Sequence, residues 1–168
     1  MYFPEHLDNL LTSCITKEEN SILKKVPTRE EIKETLFQMQ NLKAPGPSGF
    51  HAFFYKEFWP TVEDSVIDAV ISFFTDGCLP KEANSSLIVL IPKTTNLTFV
   101  NNFRPISLCN VVYKIISKLL VAKLRPLLHN IISPYQSAFI PSRWIAENQV
   151  VVYELLHSFK TRKVNLVF

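Results

Sequence analysis

The chain has 168 residues, a length typical of one domain, and 47% of them are hydrophobic, which excludes a disordered chain. Its three cysteines, Cys14, Cys78 and Cys109, lie far apart without a CxxC pair, so neither a zinc site nor a disulfide framework is indicated. Charge is divided unevenly: residues 1–91 hold 8 Lys/Arg and 13 Asp/Glu, whereas residues 92–168 hold 10 Lys/Arg and 2 Asp/Glu. The basic half indicates phosphate contact or, alternatively, a basic solvated surface.

The N-terminal part of the chain is predicted to be helical after a loose lead-in. Residues 1–27 are polar and lack a clear period, so they are predicted to be loosely structured, with the folded domain spanning 28–168. The pattern Thr28-Arg29-Glu30-Glu31 is a capping box and predicts a helix that ends near Asn41. A rigid turn, APGPSG at 44–49, then separates it from further helices.

Two helices are predicted after this turn. The first is a short aromatic-rich helix from Phe50 to Trp59. Pro60 is well placed to open the second helix, and Gly77 is its natural end.

A strand pair is predicted in the middle of the chain. The aliphatic run Ser86 to Ile91 predicts a buried strand, and a second short strand is expected from Phe103 to Leu108. Their spacing suggests antiparallel pairing. Asn110 is predicted to cap a long helix that Pro126 kinks or ends.

The C-terminal part is predicted to hold a final helix, Trp144 to Phe159, followed by strand character in Val164 to Phe168. The apolar residues expected to face inward are Val151, Val152, Leu155, Leu156 and Phe159. The predicted fold class is therefore α+β, mostly helical, with a small antiparallel strand pair. The last strand has no later strand to pair with, so we expect the chain to be truncated.

Lys93 and Arg104 are the first candidate ligand-binding residues. Lys93 follows one predicted strand and Arg104 begins the next, so antiparallel pairing would place both cations near one edge. There they could bind a triphosphate or a nucleic-acid backbone. The alternative is that they are two unrelated surface cations.

The segment 133–144, SPYQSAFIPSRW, is the second candidate. Gln136 could hydrogen-bond a base or sugar, Tyr135 or Phe139 could stack on a base, and Arg143 could meet a phosphate. The alternative is a plain loop that tucks Phe139 and Ile140 into the core.

Lys114 and Lys118 form the third candidate because they share a helix face at i and i+4 with no acidic partner nearby. Their mutual repulsion would be relieved by a phosphate, although a solvated helix face is the commoner explanation. The 44–49 turn lacks the Lys-Ser/Thr pair of a P-loop, so it is not predicted to bind nucleotide.

Hydrolytic and metal-dependent sites are not indicated by the sequence. The four histidines are scattered, and neither an HExxH nor a GxSxG pattern occurs. The N-terminus carries acids and no long apolar run, and no stretch reaches membrane-spanning length. These features predict an intracellular protein, nuclear or cytoplasmic, without a membrane partner.

Four motifs taken in order carry a resemblance to a known family. They are LKAPGPSGFHAFFYKEFW, SLIVLIPK, NNFRPISLCNVVYKIISKLLVAKLRPLL and ISPYQSAFIPSRWIAEN. Together they resemble the reverse transcriptase of LINE-type non-LTR retrotransposons, especially plant ones, over roughly residues 28–160.

The resemblance implies the fingers and early palm of a right-hand RNA-directed DNA polymerase with an incomplete palm. It implies that Lys93 and Arg104 face the triphosphate of the incoming nucleotide, and that the loop from Gln136 to Arg143 lies along the template. The helix carrying Lys114 and Lys118 would flank the nucleic acid. The implied partners are RNA or an RNA–DNA hybrid, bound weakly and in a salt-dependent way.

The chain departs from the family at several positions. The family usually has Asp where Ser48 stands, Gly where Ser142 stands and Asp where Glu147 stands. The family also holds two Mg²⁺ ions on palm aspartates, whereas the last aspartate here is Asp76. We therefore expect no catalytic residue and no bound metal in this chain, and no polymerase activity by the chain alone.

Two further hypotheses remain open from the sequence. The chain could be a non-enzymatic nucleic-acid-binding module. It could also be a subunit whose active site is completed by a second chain that carries the palm aspartates, in which case the helix at 144–159 would present an exposed apolar face.

Overall fold

The computed structural model describes residues 14–95 and 99–162 and shows the predicted mostly helical α+β composition. Short 3-10 turns cover Val100–Asn102 and Arg125–Leu127. The helices and strands in chain order are α1 (Lys17–Lys24), α2 (Arg29–Phe37), α3 (Ala52–Glu57), α4 (Trp59–Asp76), α5 (Lys81–Asn84), β1 (Ser86–Pro92), β2 (Phe103–Cys109), α6 (Val111–Leu124), α7 (Leu128–Ile131) and α8 (Ile145–Arg162).

The chain divides into two compact units. The larger unit is Lys24–Ala122, and the smaller unit combines Met1–Leu23 with Lys123–Phe168. In the smaller unit, the Lys123 ammonium donates to the backbone carbonyls of Ile22 and Leu23 at 3.5 and 3.4 Å. The basic helix end is thus tied to the last turn of α1.

Local sequence signals place the helix boundaries of the larger unit. Thr28 caps α2 through the predicted capping box: the Glu31 amide donates to Thr28 Oγ1 at 3.2 Å, and the Thr28 amide donates to the Glu31 carboxylate at 2.8 Å. The helix ends at Phe37, a turn earlier than expected. Gly77 ends α4 with a left-handed φ of 71°, a conformation that costs glycine little.

The core of the larger unit is formed by apolar faces of α2, α4 and α6, with contributions from α3. Ile32, Leu36, Ile67, Val70 and Ile115 are completely buried, which removes their side chains from water and supplies most of the driving force for this packing. Arg29 adds an exposed link between α2 and α4. The other buried members of the cluster are Met39, Ala52, Trp59, Val66, Val111, Ile116 and Leu119.

The strand pair is antiparallel as predicted, but the prediction that β1 is buried was wrong. The register pairs Ser86 with Cys109 and Pro92 with Phe103. All seven residues of β1 are exposed, and Ile88 is 65% exposed. A continuous aliphatic run is typical of a strand covered on both faces. Here the two strands form a ribbon on which both faces remain open within the described chain.

The expectation that the apolar residues of α8 face inward was also wrong. Val151, Val152, Leu155 and Leu156 are each slightly more than half exposed, and Phe159 is 46% exposed. The helix itself was predicted correctly and begins one residue later than expected. At about 100° per residue these five residues fall within roughly 140° of the helix circumference, so they form one apolar face of α8 that the described residues leave about half exposed.

The predicted loose lead-in contains a helix. Thr16-Lys17-Glu18-Glu19 repeats the capping-box pattern of α2: the Glu19 amide donates to Thr16 Oγ1 at 3.1 Å, and the Thr16 amide donates to the Glu19 carboxylate at 2.8 Å. This pattern was visible in the sequence and starts α1. The strand expected at 164–168 and the first part of the lead-in lie outside the described residues.

Candidate nucleic-acid interface

Strand pairing brings Lys93 and Arg104 to the same end of the ribbon. Arg104 lies opposite Ile91, and the Lys93 amide donates to the Asn102 carbonyl at 2.8 Å, which continues the pairing one step beyond β1. Lys93 and Arg104 therefore lie at the same end of the ribbon, on its two different strand ends. The juxtaposition expected from the sequence is therefore present.

The two cations differ in their internal contacts. The Lys93 ammonium donates to the Asn101 carbonyl at 2.9 Å. The Arg104 side chain is exposed and, within the part of the chain that the structure describes, makes no hydrogen bond or ion pair. The guanidinium at this end of the ribbon is thus available to an anion from solution.

The 44–49 turn is seated against the junction between β2 and α6. A Cβ at Gly46 would lie 2.4 Å from the Asn110 amide nitrogen and 2.5 Å from the Cys109 carbonyl carbon, so only glycine fits there. The Asn110 side chain is buried and accepts from the Ser48 amide at 3.0 Å, while it donates to the Glu82 carbonyl at 2.8 Å. The buried Asn110 side chain therefore links the 44–49 turn, α5 and the junction between β2 and α6.

Asn110 was predicted as the cap of α6, and it does directly precede that helix. Its backbone carbonyl accepts from the Lys114 amide at 3.1 Å, but its side chain bonds to the Ser48 amide and the Glu82 carbonyl. Sequence reasoning missed this link, and residue types alone give no signal for it, because any polar side chain can precede a helix.

Tyr55 lies close to the 44–49 turn. Burial raises the pKa of Tyr55, while a hydrogen bond with the Ser48 side chain acts in the opposite direction.

Lys114 and Lys118 lie on one face of α6 but have different surroundings. The Lys114 side chain is half-buried, and its ammonium donates to the Ala44 carbonyl at 2.9 Å, which adds a further tie to the 44–49 turn. Lys118 is exposed and makes no hydrogen bond or ion pair among the described residues. Lys114 therefore supports the turn, whereas Lys118 points its charge to solvent.

In the smaller unit, the candidate template loop consists of two proline-containing turns. The first turn, residues 133–136, is closed by the Gln136 amide donating to the Ser133 carbonyl at 3.0 Å. The second, residues 140–143, is closed by the Arg143 amide donating to the Ile140 carbonyl at 3.3 Å. Each has proline at its second position, where the fixed φ favours a turn.

Arg143 joins the two turns. One terminal nitrogen of its guanidinium donates to the carbonyls of Ser133 at 2.6 Å and Gln136 at 2.8 Å, and the other donates to Ile132 at 3.3 Å. The planar, permanently charged guanidinium suits this task because it presents several donors in fixed directions. Arg143 is half-buried by this arrangement.

A second tie connects the loop to α8. The Asn148 side-chain amide donates to Ser137 Oγ at 2.9 Å and more weakly to the Tyr135 carbonyl at 3.5 Å. Ser137 is buried. Ser137 and Asn148 were not selected from the sequence. The only available signal was a pair of polar residues, one within the turn-rich loop and one shortly after it.

The loop exposes its aromatic residues. Phe139 is fully exposed, Tyr135 is 87% exposed and Trp144 is 71% exposed, whereas Ile140 is buried. The alternative in which Phe139 and Ile140 both enter the core is therefore wrong for Phe139. Phe139 and Ser142 also have left-handed φ values of 64° and 63°, which are uncommon for residues other than glycine.

Metal clusters and membrane-spanning helices are both absent from the described residues. No three His, Cys, Asp or Glu side chains within 14–95 and 99–162 come together in a way that could hold a metal ion. None of the helices in those ranges combines the length and apolar character needed to cross a membrane.

The chain is similar to a transposon-encoded protein. It is 31% identical over 141 residues to a Xenopus laevis protein described as the uncharacterized 149 kDa protein of transposon TX1. The match covers 84% of this chain and 11% of that protein, so the chain spans about a tenth of its relative. No protein-family model matches the chain. The similarity indicates a transposon origin for most of the sequence.

Proposed function

We propose that this chain is the fingers and early palm portion of the reverse transcriptase of a LINE-type non-LTR retrotransposon of the plant type. In this proposal Lys93 and Arg104 face the triphosphate of an incoming nucleotide. The residues proposed to lie along the template are Gln136, Arg143, Lys114 and Lys118.

The observation that carries the proposal is the antiparallel register of the ribbon. It brings Lys93 and Arg104, which belong to two separate motifs of the family resemblance, to one end of the same ribbon. Paired cations on a fixed backbone are suited to a polyphosphate. The similarity to a transposon-encoded protein over 84% of the chain supports the same assignment.

By itself the chain is proposed to bind nucleic acid without synthesising DNA. In the resembled family two Mg²⁺ ions on aspartates stabilise the attacking and leaving oxygens during nucleotidyl transfer. Residues 92–168 contain no aspartate, and their two acidic residues are Glu147 and Glu154. Primer extension with the chain alone is expected to incorporate no deoxynucleotide, and measurable incorporation would refute this part of the proposal.

Binding is tested by titrating a labelled RNA–DNA hybrid with the full chain at several salt concentrations. The logarithm of affinity should fall linearly with the logarithm of salt, because each phosphate contact releases counterions. The double variant Lys93→Ala/Arg104→Ala should weaken binding and reduce the magnitude of the slope by about 1 for each cation that meets a phosphate.

A matched control is the double variant Lys17→Ala/Lys33→Ala, which removes two exposed cations from the acidic half. It changes net charge by the same amount but should leave the slope close to that of the wild type. Equal effects of the two double variants would show that net charge alone drives binding. Absence of binding at low salt would refute the proposed function altogether.

A second candidate function is favoured by the exposed apolar residues of α8 and of the ribbon. Their burial against further protein would remove water from an apolar surface that the described chain leaves open. We propose that the chain completes a polymerase active site together with protein that carries the palm aspartates. A monomeric chain that does not enhance ANS fluorescence would contradict this candidate, whereas concentration-dependent self-association or strong ANS binding would agree with it.

A further inference from the structure

The 132–148 segment, which we call the aromatic loop, keeps the Phe139 side chain exposed to solvent. A fully exposed phenylalanine next to a buried isoleucine runs against the usual preference of apolar side chains, since exposing the ring costs solvation free energy. Phe139 also has a left-handed φ of 64°, which disfavours a residue with a Cβ. The exposed ring and the left-handed backbone conformation therefore both cost free energy at Phe139.

The rest of the loop keeps this conformation in place. The Arg143 guanidinium donates to two backbone carbonyls of the first turn and to that of Ile132 just before it, and Asn148 on α8 donates to the buried Ser137. Ile140 anchors the second turn by its burial. Backbone strain that is over-determined by surrounding contacts is typical of ligand-binding positions.

We propose that Phe139 is a base-stacking residue for an unpaired nucleic-acid strand, with Tyr135 as a neighbouring stacking surface, and that Arg143 is a positioning residue rather than a phosphate contact. This inference rests on the proposed nucleic-acid function and names how one part of that interface works. A pre-positioned ring binds a base without the entropy cost of ordering a loop. Stacking on an aromatic ring tolerates any base sequence.

Charge favours nucleic acid over a protein partner for this surface. The aromatic loop belongs to the smaller unit, whose C-terminal part, residues 123–168, holds 6 Lys/Arg and 2 Asp/Glu. An exposed ring in a basic part of the sequence fits single-strand binding, in which stacking and backbone attraction act together.

The test measures binding of a labelled single-stranded RNA of about 16 nucleotides, which covers the usual range of single-strand site sizes. Phe139→Ala should weaken affinity by about tenfold, in keeping with the loss of one stacked base, and leave the salt slope unchanged because no charge is lost. Phe139→Trp should retain affinity. Tyr153→Ala, which removes a 72% exposed aromatic from α8, is the matched control and should bind like the wild type.

A strand with abasic positions provides a second measurement that does not depend on how a variant folds. Wild-type chain should bind the abasic strand about as weakly as Phe139→Ala binds the normal strand. Phe139→Ala should distinguish the two strands less than the wild type does, because only Tyr135 remains to stack on a base. A wild-type chain that binds both strands equally would overturn the stacking role, as would full affinity in Phe139→Ala.

The positioning role of Arg143 is tested with Arg143→Lys, which keeps the charge but lacks the fork that spans three carbonyls. We expect Arg143→Lys to lose affinity to about the same extent as Phe139→Ala, with an unchanged salt slope and faster hydrogen exchange in the aromatic loop. Full affinity in Arg143→Lys would overturn the positioning role. Absence of RNA binding by the wild type at low salt would refute the proposed function. If the wild type binds RNA with the expected salt slope and Phe139→Ala binds equally well, only the stacking inference is refuted.

Discussion

Replacing Gly46 with alanine tests whether the seated 44–49 turn stabilises the larger unit. The new Cβ would meet the Asn110 amide nitrogen at 2.4 Å and the Cys109 carbonyl carbon at 2.5 Å. Both are backbone atoms, so no side-chain rotation relieves the overlap, and the turn must move. Overpacking of this kind costs about 1–3 kcal/mol.

Movement of the turn would also break the hydrogen bond from the Ser48 amide to the Asn110 side chain, which spans 3.0 Å. Leaving the buried Asn110 oxygen without this donor adds about 1 kcal/mol. We therefore expect Gly46→Ala to lower the free energy of unfolding by about 2–4 kcal/mol. Urea titration followed by circular dichroism measures it, and the m-value reveals whether the folded state has loosened.

Gly49→Ala is the matched control within the same turn. Gly49 has a left-handed φ of 76° and open space around its Cα, so alanine meets conformational strain without an overlap. That strain costs about 1–2 kcal/mol. A loss for Gly46→Ala no larger than that for Gly49→Ala would refute the claim that close packing against the β2–α6 junction stabilises the turn.

Three other outcomes are expected from single positions. Ser142→Gly should raise the free energy of unfolding by about 1 kcal/mol in urea, because glycine adopts the left-handed φ of 63° without strain; no change would argue against that strain. The raised pKa of Tyr55 means that the unfolded phenol, with its ordinary pKa of 10.0, ionises first, so stability should be kept below pH 10 and fall above it. Tyr55→Phe should remove part of that alkaline loss in pH-dependent melting, and an unchanged profile would contradict this. Ile88→Thr on the exposed ribbon should change stability by no more than about 0.5 kcal/mol, whereas Ile67→Thr in the core should cost several times more by the same assay.

Local chemistry made much of the secondary structure predictable. The capping box at Thr28 and the left-handed stop at Gly77 depend on a few neighbouring residues, so they can be recognised without knowing the tertiary fold. The same reasoning would have found the box at Thr16 that starts α1. The antiparallel pairing of two short strands was likewise predictable from their spacing.

Burial was predicted poorly because it depends on what covers an element. The aliphatic run at 86–91 and the apolar residues of α8 were both expected to be internal, and both are exposed in the described chain. Sequence periodicity indicates which side chains favour an apolar environment. Periodicity does not indicate whether another layer of the same chain covers those side chains.

The candidate site was predictable in position but not in its internal contacts. The sequence placed Lys93 beside Arg104, and the ribbon register agrees. The carbonyls that engage Lys114 and Arg143 could not be foreseen, because every residue offers the same backbone acceptor and only the fold decides which ones a cation reaches.

These internal contacts divide the basic residues by what their removal should do. Lys114 and Arg143 are half-buried and their charges are held against backbone carbonyls, so each substitution would remove a link to a turn and would disturb that turn before it altered ligand binding. Lys93 is held in the same way, but at an exposed position where its contact to Asn101 is easily exchanged for water. Arg104 and Lys118 have no such internal partner among the described residues, so they are the cations whose loss should appear chiefly in the salt dependence of nucleic-acid binding and scarcely in stability. A basic half of a sequence is therefore not one uniform electrostatic surface: part of its charge fixes the loops, and the remainder stays exposed to solvent.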